Sequence, residues 1–232
     1  MFWSSVLKSL LAACVVTEFA VSFVESFTCA NSVSINGVYT PYDACETFQA
    51  CFNQTQELKM PELARSQKFQ QKGCATDECT DLAFSATLGG QRTFRYDQQC
   101  CTTDKCNQGD TQPSQGPATA NGIQCLACYT EPGTLCIPTL LKCTGKETKC
   151  ASVIGTVAGS SSPASVVMVG TGCATENACN LNMTILGSIN IRTFCMSGFP
   201  VLPSAPASTG LRPTSISAVP VLIILPLLKV LL

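Results

Sequence analysis

The stretch Cys100-Cys101-Thr102-Thr103-Asp104-Lys105-Cys106-Asn107 (CCTTDKCN) decides how the chain is read. It closes a first set of cysteines made up of Cys29, Cys45, Cys51, Cys74, Cys79, Cys100, Cys101 and Cys106. Directly behind it, Gln108 to Gly122 (QGDTQPSQGPATANG) is all polar or small, the composition of a linker. Beyond that lies a second set: Cys125, Cys128, Cys136, Cys143, Cys150, Cys173, Cys179 and Cys195. Eight cysteines on each side of a linker, in segments of similar length, indicate an internal duplication.

The spacings carry the same message. Cys29 to Cys51 spans 22 positions and Cys125 to Cys150 spans 25; Cys45 to Cys74 spans 29 and Cys143 to Cys173 spans 30. Cys79 to Cys100 spans 21, against 16 for Cys179 to Cys195. Each half then adds a private pair, Cys101/Cys106 in the first and Cys128/Cys136 in the second.

Working outward, both ends of the chain read as targeting segments. Met1 to Ser26 has one early cation, Lys8, then the apolar run Leu10 to Val16, then small residues. This is a signal-peptide layout, with Val24 and Ser26 at −3 and −1 of the cleavage site; cutting after Ala20 or Ser22 fits the same layout. Glu18 and Glu25 interrupt the run too early for a membrane-spanning helix of about 17–25 apolar residues. Removal of the segment takes Cys14 with it and leaves sixteen cysteines, an even number that an oxidising compartment pairs throughout.

At the other end, Pro200, Pro203, Pro206 and Pro213 stand among Ser, Ala, Thr and Gly, and Ala218 to Leu232 (AVPVLIILPLLKVLL) is apolar to the last residue. Ser208-Thr209-Gly210, a short polar spacer and an apolar tail form the layout of a glycosylphosphatidylinositol (GPI) attachment signal, with Ser208 the expected attachment residue. Ser204 is the poorer choice because it would put Pro206 two positions downstream. A single-pass anchor, or a chain cut here and released, are the competing readings. The expected layout is therefore a signal peptide (1–26), a first module (27–107), a linker (108–122), a second module (123–199), a stalk (200–208) and a removed propeptide (209–232).

The modules read as all-β. Gln91 to Gln98 alternates, Cys150 to Val157 and Ser165 to Val169 are β-branched runs, and Ile189 to Phe194 supplies a further strand. Glu57 to Gln71, broken by Pro61, is the one stretch with helical character and is expected to be a loop with a single turn. Modules of this size bury too little surface to be stable alone, and four disulfides in each, at about 2–4 kcal/mol apiece, make up the shortfall.

On these residues the chain resembles the Ly-6 antigen/urokinase plasminogen activator receptor family. CC-x4-CN at Cys100 to Asn107 matches that family's ending, and Cys125-x2-Cys128-x7-Cys136 its beginning. The resemblance implies two three-finger folds in tandem, each a disulfide knot from which three β-loops project. It also implies the pairings Cys29–Cys51, Cys45–Cys74, Cys79–Cys100 and Cys101–Cys106, then Cys125–Cys150, Cys128–Cys136, Cys143–Cys173 and Cys179–Cys195. Spacing alone does not choose among the 105 connectivities of eight cysteines. Two departures stand out. The first module lacks the family's second and third cysteines, and the second has Met196 where a paired cysteine would stand, which leaves its C-terminal edge loose. Lys142 to Cys150 (KCTGKETKC) is similar to the second module of the phospholipase A2 inhibitor gamma-type branch and of rodent bone-expressed two-domain relatives.

Composition excludes much chemistry. The chain has no histidine, so Ser-His-Asp and Cys-His catalysis and His-ligated metal sites are ruled out. A formal net charge of −1 gives no footprint for nucleic acid. Cys125-Leu126-Ala127-Cys128 has redox spacing without the strand and helix such a site needs. Asp77, Glu78 and Asp81 read as a solvated finger tip, and Gly89-Gly90 as a turn. No catalytic, cofactor or metal residue is expected. Asn53-Gln54-Thr55 and Asn182-Met183-Thr184 are N-glycosylation sequons if their loops are exposed. The expected function is a non-enzymatic, GPI-anchored glycoprotein of the outer leaflet that binds an extracellular protein as receptor, adhesion or accessory factor. The alternatives are a secreted inhibitor of an extracellular enzyme of phospholipase A2 type and a structural coat protein.

Overall fold

The computed structural model describes residues 26–61, 64–113, 119–159 and 166–201. Residues 1–25 of the signal segment, Ser208 and the apolar tail lie outside them. The described residues are mostly strand, joined by loops, turns and single 3-10 turns. In the first module β1 (Phe27–Cys29) pairs with β4 (Cys45–Thr47). Three hairpins follow the knot: β2 (Ser32–Ile35) with β3 (Val38–Pro41), β5 (Cys51–Met60) with β6 (Arg65–Cys74), and β7 (Leu82–Leu88) with β8 (Arg92–Cys101). The first turns through Asn36-Gly37 with φ of 51° and 85°, the left-handed pair that a two-residue hairpin demands.

The second module repeats the plan. Its hairpins are β9 (Ala120–Thr130) with β10 (Thr139–Thr144), β11 (Lys149–Val157) with β12 (Val166–Ala174), and β13 (Asn182–Ile185) with β14 (Ile189–Ser197). Eight disulfides join the sixteen cysteines: Cys29–Cys51, Cys45–Cys74, Cys79–Cys100 and Cys101–Cys106, then Cys125–Cys150, Cys128–Cys136, Cys143–Cys173 and Cys179–Cys195. The fold is all-β, disulfide-rich and three-fingered in both halves.

Two expectations change. The expected loop is instead strand on both sides of its turn: Glu57 to Met60 end β5, Pro61 lies in a 3-10 turn, and Arg65 to Gln71 begin β6. Its Gln, Glu and Lys side chains favour helix locally, yet β5 is held in full register between β6 and β8, and that pairing overrides the local preference. The modules also do not keep separate cores. β7 of the first pairs with β12 of the second through Leu88↔Gly172, Thr87↔Cys173 and Ala86↔Ala174, fusing the fingers into one sheet. Phe84, Leu88, Phe94 and Tyr96 then share a single apolar cluster with Val153, Ile185 and Ile191. A β-carbon on Gly172 would lie 2.1 Å from the Thr87 carbonyl oxygen, so only glycine permits this approach.

The two modules close differently. In the first, the Cys101–Cys106 bridge delivers Asn107 into the interior, 3% exposed. Its amide donates to the carbonyls of Ala30 (2.9 Å) and Phe52 (3.0 Å), and its oxygen accepts the Ala30 N–H (2.9 Å). In the second, Met196 stands opposite Cys150 as Cys101 stands opposite Cys51. The missing clasp is replaced by main chain: β15 (Phe199–Pro200) pairs with β9, and the Val201 N–H donates to the Gly122 carbonyl at 2.8 Å. The second edge is therefore paired rather than loose, and pairing continues past the expected start of the stalk at 200.

The 108–122 segment is tied at both ends. Lys72 Nζ donates to the Gln108 carbonyl (2.8 Å) and meets Asp110 (2.9 Å), holding that carboxyl below its usual range through the hydrogen bond and charge of the lysine. Asn121 Nδ2 donates to the carbonyls of Gly145 and Glu147 at 3.1 and 2.9 Å.

Candidate binding cleft between the two modules

Alternation along β5, β7 and β8 sorts side chains onto two faces. Phe84, Phe94 and Tyr96 point into the shared core, where the Phe84 and Tyr96 rings stack with centroids 5.0 Å apart and burial pushes the Tyr96 phenol up to about 12. The intervening residues form a polar floor on the opposite face. Glu57 lies opposite Arg95, and Arg95 opposite Ser85. Ser85 in turn exchanges main-chain and hydroxyl bonds with Thr175 of the second module, the Ser85 N–H donating to Thr175 Oγ1 at 3.1 Å. Lys59, Thr93 and Thr87 form the next row.

The turn joining β10 to β11, residues 145–148, overhangs this floor. Gly145 adopts φ of 55° there, and Asn121 pins the turn from behind. The arrangement drives Glu147 downward: it is 7% exposed, and Ser85 Oγ donates to its Oε1 at 2.8 Å. Burial raises the Glu147 carboxyl above its ordinary range, against the opposing effects of the Ser85 and Thr87 hydroxyls and the Arg95 charge. Its second oxygen, Oε2, is buried without a hydrogen-bond partner among the described residues, as is Arg95 Nη1. Arg95 lies 3.6 Å from Glu57 Oε2, close enough to balance its charge but too far for that nitrogen to donate. Each unmet group of this kind costs about 1–3 kcal/mol, a cost that a bound partner can relieve.

The floor and overhang enclose a cleft of about 1080 Å³. Lys59, Lys142 and Lys146 stand on its rim with Glu176. Lys59 reaches Glu57 at 3.4 Å and Glu176 reaches Lys149 at 3.5 Å, whereas Lys142 and Lys146 are exposed and pair with no carboxylate among the described residues. The cleft contains a proton-accepting oxygen and a proton-donating nitrogen on one polar surface, and it belongs to neither module alone.

The sequence-marked residues lie elsewhere. Cys125 and Cys128 enter different disulfides, Cys125–Cys150 and Cys128–Cys136. Sulfurs of Cys29, Cys45 and Cys74, and of Cys125, Cys143 and Cys173, cluster within 4.8 Å, yet all are cystine sulfurs with no thiolate to offer a metal. Asp81 caps the Cys100 N–H at 2.8 Å instead of joining Asp77 and Glu78. Asn182 is exposed on the edge strand β13, as a glycan acceptor must be. Asn53 is 5% exposed and its Nδ2, the atom a glycan would occupy, donates to the Gly109 carbonyl. The expectation for Asn53 is corrected on that ground: in the folded chain it ties the outgoing segment to β5. Sequence reading missed Glu147, Ser85 and Arg95; Glu147 sat inside the quoted KCTGKETKC phrase, where Gly145 was the only local sign of a tight overhang.

A family model described as u-PAR/Ly-6 domain matches residues 24–109 and 121–199. The chain belongs to the u-PAR/Ly-6 family. Protein RoBo-1 of Rattus norvegicus is 39% identical over 228 residues, 97% of this chain and 93% of that protein. Phospholipase A2 inhibitor NAI of Notechis ater is 30% identical over 142 residues, 60% of this chain and 65% of that one. The crystal structure of mouse TEX101 overlays with a TM-score of 0.36 at 14% identity, across 76% of this chain and 99% of that chain. Proteins of the u-PAR/Ly-6 family are extracellular, secreted or GPI-anchored, typically act as binders, and are generally not enzymes.

Proposed function

We propose that this u-PAR/Ly-6 protein is a GPI-anchored cell-surface glycoprotein that grips an extracellular protein in the cleft between its modules, without catalysis. The observation that carries the reading is the fused sheet: two modules joined through β7 and β12 present a pre-organised surface that loses little freedom on binding. The precursor would lose residues 1–26, β1 beginning at Phe27 directly after that cut, and residues 209–232 in exchange for lipid at Ser208. The glycan is assigned to Asn182. Treatment of expressing cells with phosphatidylinositol-specific phospholipase C should release the protein, and the released protein should capture an extracellular partner in a binding screen. A protein that resists release, or that captures nothing, contradicts the corresponding half of the proposal.

A secreted inhibitor of a phospholipase A2 is the second reading, supported by the similarity to the Notechis ater inhibitor and by Lys142 to Cys150. It requires that the protein accumulate in medium without lipase treatment and that it suppress phospholipase A2 hydrolysis stoichiometrically.

A further inference from the structure

Glu147 Oε2 and Arg95 Nη1 both lack a hydrogen-bond partner among the described residues, and both flank Ser85: Arg95 across the β7–β8 ladder, Glu147 through the 2.8 Å bond from the serine hydroxyl. One accepts and the other donates. A simple anion entering the cleft would meet the Glu147 carboxylate, and a simple cation would meet the Arg95 guanidinium. What satisfies both is a group offering a donor and an acceptor side by side. The main-chain amide of an extended peptide does so, repeating the pattern along its length. Sugar hydroxyls could answer the same two atoms, but ring binding favours an exposed aromatic face, and the two aromatic residues that border the cleft, Phe84 and Tyr96, are stacked on each other and only 6% and 4% exposed. The cleft, about 1080 Å³, is at the upper end of the range for enclosed ligands, with room for a peptide segment.

The rim adds a charge preference. Lys142 and Lys146 project at the overhang with no carboxylate within ion-pair distance among the described residues, while the acidic groups nearby, Glu57 and Glu176, are already paired. We propose that the cleft takes an extended acidic peptide segment of the protein partner. Glu147 accepts a main-chain N–H, Arg95 donates to a main-chain carbonyl, and Lys142 and Lys146 meet carboxylate side chains. This deepens the protein-binding reading above and rests on it.

The test uses the mature protein purified from expressing cells and three fluorescein-labelled, terminally blocked octapeptides: (Glu-Thr)4, (Ser-Thr)4 and (Lys-Thr)4. Fluorescence anisotropy should show the acidic peptide binding at least tenfold tighter than the neutral one and the basic one not binding. Its affinity should fall as salt rises, because rim charges are screened over about 10 Å at 0.1 M. The double variant Lys142→Glu/Lys146→Glu, at two exposed positions, should weaken the acidic peptide at least tenfold. Glu147→Gln should weaken acidic and neutral peptides by the same factor, since it alters the main-chain contact and not the rim. Equal binding of acidic and neutral peptides, or an unchanged affinity in the double variant, overturns the proposal. So does a preference for heparin, an anionic polysaccharide, over every peptide. If no peptide binds while an extracellular partner is still captured, and capture survives the double variant, the cleft assignment fails and the protein-binding reading stands. If nothing is captured either, that reading fails as well.

Discussion

At the residue scale the chain depends on a few buried polar groups that connect distant segments. Asn107 joins Ala30 and Phe52 by three hydrogen bonds. Replacing it with alanine strands buried main-chain groups, each costing about 1–3 kcal/mol, so Asn107→Ala should lose about 3 kcal/mol in urea unfolding of the oxidised protein. A loss under 1 kcal/mol would mean that the Cys101–Cys106 bridge holds the first module closed without it. Glu147 makes a prediction about pH. Its carboxyl is raised in the folded state by burial, so the folded state binds its proton more tightly than the unfolded state does. The associated stability is fully present below the ordinary glutamate range and is lost as pH rises through the raised folded value. Thermal unfolding from pH 4 to pH 7.5 should therefore show Glu147→Gln matching the parent at the acidic end and exceeding it at neutral pH. The reverse order would show that the charged carboxylate is the better-held form.

At the element scale the decisive feature is where strands approach without side chains between them. A β-carbon on Gly172 would sit 2.1 Å from the Thr87 oxygen and 2.8 Å from the Leu88 Cα, backbone atoms that yield only by parting β7 from β12. Gly172→Ala should cost about 3 kcal/mol, the upper end of overpacking, and reduce secretion from expressing cells. Wild-type secretion would argue that the junction is loose. The disulfides divide in a similar way. Cys106→Ser opens a loop of 5 positions and should cost about 2 kcal/mol, while Cys173→Ser opens 30 positions beside the same junction and should cost about 3–4 kcal/mol. Surface display should survive the first and fail in the second.

These elements also show what the sequence made legible. The strands β8, β11, β12 and β14 announced themselves by alternation or β-branching, and the CC-x4-CN ending pointed to the three-finger fold. β5 and β6 did not, because Gln, Glu and Lys carry no strand signal and their pairing is decided by β8, 40 or so positions away. The cleft was illegible for the same reason. Ser85 and Glu147 are 62 positions apart, and nothing near either one marks a buried carboxylate. The clasp of the second module was hidden too, since β15 contributes main-chain bonds that leave no cysteine signature around Phe199.

At the scale of the whole molecule, the described residues up to Val201 fall in one compact unit. Eight disulfides stay within their own modules, so the joint rests on the β7–β12 ladder, the shared apolar cluster, and cross-module contacts such as the Arg92 guanidinium 4.1 Å from the Tyr129 ring centre. Gln56 Oε1 adds a further tie by accepting the Leu186 N–H at 2.7 Å. The cleft exists only while that joint holds, because its floor comes from the first module and its overhang from the second. The direct measurement is to place a specific protease site at 114–118, cut the folded, oxidised protein there, and determine the mass in solution by size-exclusion chromatography with light scattering. The two halves should remain together at the mass of the uncut chain in native buffer, and should separate in urea without any reductant. Separation in native buffer would contradict the fused sheet and the cleft built on it.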